Sequence, residues 1–309
     1  MFKDIKQVMK DSVLYGIGNV AVKLVGFILI PLYTDAEYFS TADYGLMGLL
    51  EVTSQILIAV MGLSLYSGLI RWYWDAEYRD KQKTIFFTTL LFTILTSLCI
   101  GSVLWLNVGE LSALLVQQEG YSLGGELPYI LQLLILTSML GAVVEVSQNL
   151  LRLQRKPIYY SLTNIVRLFV TLVLTIYFTI SLHRGVSGVY EAQLVGIVIQ
   201  LLMVLPLVIK NSSCRVDRRC TIQLLAYSYP LVFPAIVGSL LTVFDRYIIN
   251  HFQGLDDVGF YSLGYKVGNT LKVFIVTSVQ LALTPLLMKK MNDPDNKQFY
   301  SKVLTYFSF

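Results

Sequence analysis

The sequence predicts an all-α polytopic membrane protein, and two observations carry the prediction. Of 309 residues, 55% are hydrophobic and only 14% are charged, whereas soluble domains carry about 25% charge. The apolar residues also come in long runs, without alternating or heptad patterns. Helices can carry such runs through a bilayer because they satisfy their own backbone hydrogen bonds.

Against a requirement of about 20 residues per crossing, eight complete spans emerge: 12–34, 44–70, 84–106, 127–150, 158–181, 187–209, 223–250 and 259–288. A ninth begins near Phe299 and the sequence stops inside it at VLTYFSF, so a truncated chain is expected. The first apolar stretch is long and lacks a small-residue cleavage site, as an uncleaved first span would. Ahead of it, FKDIKQVMK puts Phe2, Ile5, Val8 and Met9 on one helical face and lysines on the other. That suits a short interfacial helix, with a plain tail as the alternative.

The loops fix an expected orientation. Residues 1–10, 71–83, 151–157, 210–222 and 289–297 hold seventeen Lys and Arg, and the opposite loops hold only Arg184. Basic residues in short loops stay inside, which puts the N-terminus in the cytoplasm; the expected location is the cytoplasmic (inner) membrane. The same scatter explains the pI near 8.8 without a nucleic-acid partner. Cys99, Cys214 and Cys220 fit no zinc pattern, and neither a metal nor a cofactor is expected.

The chain also repeats itself. YTDAEYFSTADYG follows the first span and YIINHFQGLDDVG the seventh, so that Tyr33, Asp43 and Gly45 match Tyr247, Asp257 and Gly259 at one offset of 214. In both, a span ends in Tyr, a short acidic loop follows, and Asp-x-Gly opens the next helix, where the Asp can cap the N-terminus. The implied unit is a six-helix lobe repeated in parallel. The expected boundaries are a first lobe at 1–210, a cytoplasmic linker at 211–222, and the start of a second lobe at 223–309.

Charges inside the spans need a reason, since each costs about 2.5–3.5 kcal/mol at the bilayer centre. Lys23 is the middle residue of its span, on a stripe of Ser12, Gly16, Asn19 and Gly26. Gly48, Glu51, Gln55 and Gly62 share a face of the next span, and Tyr160, Asn164, Arg167, Thr171 and Thr175 share one of the fifth. Lys266, Asn269 and Lys272 recur at steps of three beside Gly264 and Gly268. Such stripes face other helices or water. Lys23 could pair with Glu51, and Asp245 with Arg246 or a nearby lysine; Arg167 reads as structural, and Glu145 is a further acid inside a span. Arg246 lies only about a turn from the outer loop, where solvent reaches it. The lysines nevertheless outnumber the acids of the paired helices, and a cavity with surplus cation attracts an anion such as phosphate.

Five stretches in register carry a resemblance: DSVLYGIGNVAVKLVGFILIPLYT with STADYGLMGLLEV, GLIRWYWDAEYRDKQKTIFFTTL, LLRLQRKPIYYSLTNIVRL, RGVSGVYEAQLVG and FDRYIINHFQGLDDVGFYSLGYKVG. Together they resemble the polysaccharide biosynthesis proteins of the oligosaccharide flippase family, within the multidrug/oligosaccharidyl-lipid/polysaccharide exporter superfamily. The resemblance implies two six-helix lobes around a central cavity, with one lobe and the start of a second present here. It also implies transfer of an undecaprenyl-pyrophosphate-linked oligosaccharide to the outer leaflet by alternating access, for surface polysaccharide synthesis. The helices it assigns to the cavity hold Lys23, Glu51, Asp245, Arg246, Lys266 and Lys272, with Asn19, Arg167 and Asn269 as structural polar groups. Implied partners are the lipid-linked glycan, membrane lipids, and a polysaccharide polymerase with its chain-length regulator.

Three other readings compete, one of them a scaffold without transport, for which the polar stripes would be packing alone. A cation-coupled multidrug exporter of the same fold needs a buried carboxylate, which the midplane Lys23 opposes. A membrane enzyme needs a catalytic constellation. The longest loop, NVGELSALLVQQEGYSLGGE, has no His, Arg or Lys, and His183 and His251 have no partner at useful spacing. The chain is not expected to be an enzyme.

Overall fold

The structure is a computed structural model that describes residues 28–115, 125–213 and 215–272, with 297, 298, 301 and 305. Every regular element among the described residues is helical. In chain order they are α1 (Ile30–Tyr33), α2 (Thr41–Gly62), α3 (Leu65–Trp72), α4 (Gln82–Leu106), α5 (Val108–Leu115), α6 (Leu127–Leu153), α7 (Pro157–Ile176), α8 (Gly185–Asn211), α9 (Arg218–Phe252) and α10 (Leu255–Lys272). Among the described residues, six stretches are long and apolar enough to cross a membrane: Thr41–Gly62, Tyr78–Leu106, Leu127–Leu153, Pro157–Ser181, Gly185–Asn211 and Arg218–Leu241. The 12–34 span, apart from its end, and the 259–288 span beyond residue 272 lie outside the described residues, as does the interfacial segment before them.

The span expected at 44–70 is not one helix. Leu63 and Ser64 both adopt left-handed backbone (φ 44° and 51°), which ends α2 and starts α3 in a new direction. Non-glycine residues rarely adopt this conformation, and the neighbouring Gly62 is still part of α2, so the sequence does not announce where the turn falls. Thr96 on α4 donates to the Met61 carbonyl at 2.7 Å, supplying a partner to a group at the helix end that has lost its own.

The acidic turn before α2 is also built differently from the expectation. Ser40, and not Asp43, is the N-cap. The Asp43 amide donates to Ser40 Oγ at 3.1 Å, and the Asp43 carboxylate accepts from the Ser40 amide at 2.8 Å. This is a reciprocal capping box, with Asp at the position usually held by Glu or Gln.

Packing places α6 at the centre of the bundle, touching α2, α4 and α8, while α7 pairs with α8. One apolar cluster joins Leu46, Leu49 and Leu50 of α2 to Ile130 and Leu134 of α6 and Leu255 of α10. A second joins Leu69, Phe86, Leu150 and Leu224 nearer the basic loops. On α7 the predicted polar stripe faces inward, with Tyr160 and Thr175 buried. Ile158, Leu162, Ile165, Phe169 and Val173 form the opposite, exposed apolar face, as a lipid-facing helix requires.

Between α8 and α9 the described residues outside helices are 212, 213 and 215–217, and Cys220 and Leu224 of α9 bury against the second cluster. Asp217 caps α9 by accepting from the Arg219 and Cys220 amides at 2.9 and 3.3 Å, and it receives Lys81 Nζ at 2.6 Å. The Lys81 ammonium holds the Asp217 carboxyl below the ordinary carboxylate range. A depressed carboxyl contributes stability above its unfolded pKa, near 3.9, and loses it as pH falls through the lower folded value. Asp217→Asn should therefore melt slightly earlier than the wild type at neutral pH. The gap should close in acid below the carboxylate range and shrink in high salt; a gap that survives both would leave the ion pair without effect.

α9 runs for 35 residues, about 52 Å at 1.5 Å per residue. Pro230 and Pro234 lie inside it and each removes a backbone donor. Beyond its end, α10 lies against α2 so closely that both backbones touch. A Cβ added at Gly259 would lie 2.5 Å from the Thr41 carbonyl oxygen, and one added at Gly45 would overlap the Leu255 carbonyl. Gly45 and Gly259 are 214 residues apart, and so are Thr41 and Leu255. The contact is reciprocal, as in a two-fold interface. Gly264 and Gly268, expected to allow close packing, have nothing near them among the described residues.

Candidate functional site

Two adjoining cavities open between these helices. The first, of about 590 Å³, is lined by Tyr33 of α1, by Tyr44, Gly48, Glu51 and Gln55 of α2, and by Tyr190 and Gln193 of α8. Arg246 of α9 and Tyr265, Lys266 and Asn269 of α10 complete its described wall. The fold thus brings together four residues singled out in the sequence, Glu51, Arg246, Lys266 and Asn269.

Arg246 is only 7% exposed, deeper than its distance from the loop suggested. Its guanidinium carbon sits 4.9 Å from the centre of the Tyr265 ring. Its Nε has no hydrogen-bond partner among the described residues. Lys266 Nζ lies 5.5 Å from the Tyr33 ring centre and 5.9 Å from that of Tyr44. Ring faces attract cations through their quadrupole, by about 0.5–2 kcal/mol, without neutralising them. Away from this cavity, ion pairs join Arg71 to Asp75, Lys81 to Asp217 and Arg184 to Glu191. Among the described lining residues the first cavity carries two cations against one carboxylate, Glu51.

Asp245 sits beside this wall. It accepts from the Tyr261 hydroxyl and from the Arg246 amide, the latter at 2.9 Å. These bonds take the place of the side-chain pair expected with Arg246. Lys23 and Asn19 lie outside the described residues, and of Lys272 only the helical backbone is described. The four tyrosines were not singled out in the sequence. Tyr33 did carry a signal there, since it matches Tyr247 in the repeat. Tyr247 donates to or accepts from Thr53 of α2 at 2.7 Å, which ties α9 to the helix carrying Glu51.

The second cavity, of about 690 Å³, shares Ser54, Gln55 and Gln193 with the first. Its wall contains Glu145, Gln148, Asn149 and Arg152 of α6, Asn164 and Arg167 of α7, and Gln200 of α8. Arg167 Nη1 donates to Gln200 Oε1 at 3.1 Å, Gln200 Nε2 to Asn164 Oδ1 at 2.9 Å, and Asn164 Nδ2 to the Tyr160 carbonyl at 3.0 Å. Arg152 lies over the Tyr160 ring and donates to its hydroxyl. Sequence reading reached Glu145 and the stripe of Tyr160, Asn164 and Arg167, but not Gln148, Asn149, Arg152 and Gln200, which they meet here; amides inside apolar spans were the signal available.

The fold is that of known transporters. The chain superposes on a MATE multidrug transporter, DinF-BH, solved in complex with a ligand, with a TM-score of 0.71 at 15% identity, covering 91% of this chain and 64% of that one. A MATE transporter from Vibrio cholerae, VcmN, gives 0.63 at 17% identity over 93% and 66%. A MOP superfamily transporter from Pyrococcus furiosus, described as having a binding pocket of reversed polarity that suggests a different function, gives 0.64 at 16% identity over 92% and 65%. The chain thus spans just under two thirds of the length of these structures. Comparison with curated proteins gives no match. Residues 8–291 match the model of the polysaccharide biosynthesis protein family, and with the transporter fold around two polar cavities this makes the chain a multi-pass membrane protein of that family.

Proposed function

We propose that the protein belongs to a flippase that moves a lipid-pyrophosphate-linked oligosaccharide across the cytoplasmic membrane. The observation that carries this reading is the pair Arg246 and Lys266, two cations on tyrosine rings in one cavity of a polysaccharide-family transporter fold. A pyrophosphate head offers several charged oxygens to them, and charge-assisted bonds of this kind are about twice as strong as neutral ones. The lipid tail stays in the bilayer while the head enters the cavity, and rocking of the helix bundles releases it on the far side. In this reading the basic loops face the cytoplasm, and a polymerase and chain-length regulator act on the released product.

A second reading, export of cationic drugs, has Glu51 in its favour, the one carboxylate on the described wall of the first cavity. Calorimetry on the full chain in lipid nanodiscs separates the two. The flippase reading expects inorganic pyrophosphate to bind, more weakly as salt rises, and a cationic dye such as rhodamine not to bind. Dye binding competed by sodium, with no response to pyrophosphate, would overturn it in favour of drug export.

A further inference from the structure

We infer that the second cavity is a binding site for neutral, hydroxyl-rich groups: the sugar subsite of the substrate whose charged head occupies the first. The assignment rests on the flippase reading for the source of the sugar, but the hydroxyl chemistry stands on the cavity itself. Six side-chain amides line it, Gln55, Gln148, Asn149, Asn164, Gln193 and Gln200. Each amide presents donors and an acceptor together, which matches a sugar hydroxyl that gives one hydrogen bond and takes others.

Gln148 supplies an independent pointer to a ligand. It is 8% exposed, and its Oε1 has no hydrogen-bond partner among the described residues. Which way this amide faces is fixed by its neighbour. The Thr163 hydroxyl donates to the Tyr160 carbonyl at 2.9 Å, so it can only accept from Gln148, and the Gln148 Nε2 donates to it at 2.9 Å. The amide oxygen of this wall residue is thereby left without a donor. Thr137 Oγ1, also on the cavity wall and buried, is likewise unpartnered among the described residues. A buried acceptor without a donor costs about 1–3 kcal/mol. A ligand O–H satisfies it and an anion's oxygen does not; the wall's two cations are held by neighbours, Arg152 by the Tyr160 hydroxyl and ring and Arg167 by Gln200.

Arg167 acts as a positioning residue. Its guanidinium has only donors, so it turns the Gln200 oxygen toward itself, which turns the Gln200 amino group to Asn164 and the Asn164 amino group to the Tyr160 carbonyl. The amides are oriented before any ligand arrives. The volume of about 690 Å³ lies in the ordinary range of ligand pockets. Because Ser54, Gln55 and Gln193 border both cavities, a sugar in the second is continuous with an anion in the first.

The test uses the full chain in nanodiscs on an array of bacterial-type oligosaccharides without lipid or phosphate, with inorganic pyrophosphate titrated separately. Wild-type protein should bind a subset of the glycans. Gln148→Leu should weaken that binding by at least about tenfold, while pyrophosphate binding changes by less than about twofold. If Gln148→Leu loses both, Gln148→Asn, which shortens the reach but keeps the polarity, decides by the same criterion. No glycan binding by a wild type that still binds pyrophosphate overturns the sugar site and leaves the anion site standing, as does glycan binding indifferent to Gln148. Glycan binding that depends on Gln148, with no pyrophosphate binding, supports the sugar site and overturns the anion reading alone.

Discussion

If the protein is the proposed flippase, Arg246→Gln should abolish polysaccharide export and weaken pyrophosphate binding by roughly 10- to 150-fold, the loss of one hydrogen bond to a charged group worth about 1.5–3 kcal/mol. The same substitution should leave the melting temperature of the purified protein unchanged or raise it. A buried cation with an unpartnered Nε is a burden on the fold, and replacing a buried charge with a neutral group of similar volume is often neutral or stabilising. Opposite signs for activity and stability mark a charge kept for function. Arg246→Lys should retain part of the binding, since an ammonium keeps the charge but loses the planar fork and its stacking on Tyr265. Normal export by Arg246→Gln, or a melting temperature that falls together with activity, would make Arg246 a structural residue.

Gly45→Val should be as damaging by an unrelated route. The added side chain meets the Leu255 carbonyl, and backbone, unlike a flexible side chain, does not move aside. Overpacking of this kind costs about 1–3 kcal/mol and more where backbone is the obstacle. Gly259→Val should behave alike, because its Cβ would meet the Thr41 carbonyl. Gly109→Ala is the control: nothing among the described residues lies within reach of a Cβ there, and alanine favours a helix by about 1 kcal/mol over glycine. Thermal melts and export assays on the three variants check the prediction. Equal stability of Gly45→Val and Gly109→Ala would show that the close approach of α2 and α10 is dispensable.

Most of the fold was legible in the sequence because a bilayer demands long apolar helices, and those leave their length in the chain. The break after α2 was not, since the left-handed turn falls on Leu63 and Ser64 and passes over the adjacent Gly62, the residue best suited to it. Nor was the start of α9 at Arg218: hydropathy counts Arg218 and Arg219 as loop, whereas the burial of Cys220 makes them helical. At the site, charges in apolar spans were conspicuous, so Glu51, Arg246 and Lys266 could be named. The tyrosines that hold two of them could not, because twenty tyrosines lie along the chain and only the fold selects four. The amides of the second cavity were visible singly. Their meaning depends on α2, α6, α7 and α8 meeting, which no linear spacing records.

The contact between Gly45 and Gly259 has a consequence for ancestry. A patch that fits a copy of itself lets a single ancestral unit pair with its twin before any gene is duplicated. Were two such copies fused, the linker would only tether partners that already met. Divergence of the halves would be constrained most where each backbone rests on the other. The two glycines and the small residue Thr41 stand at that place.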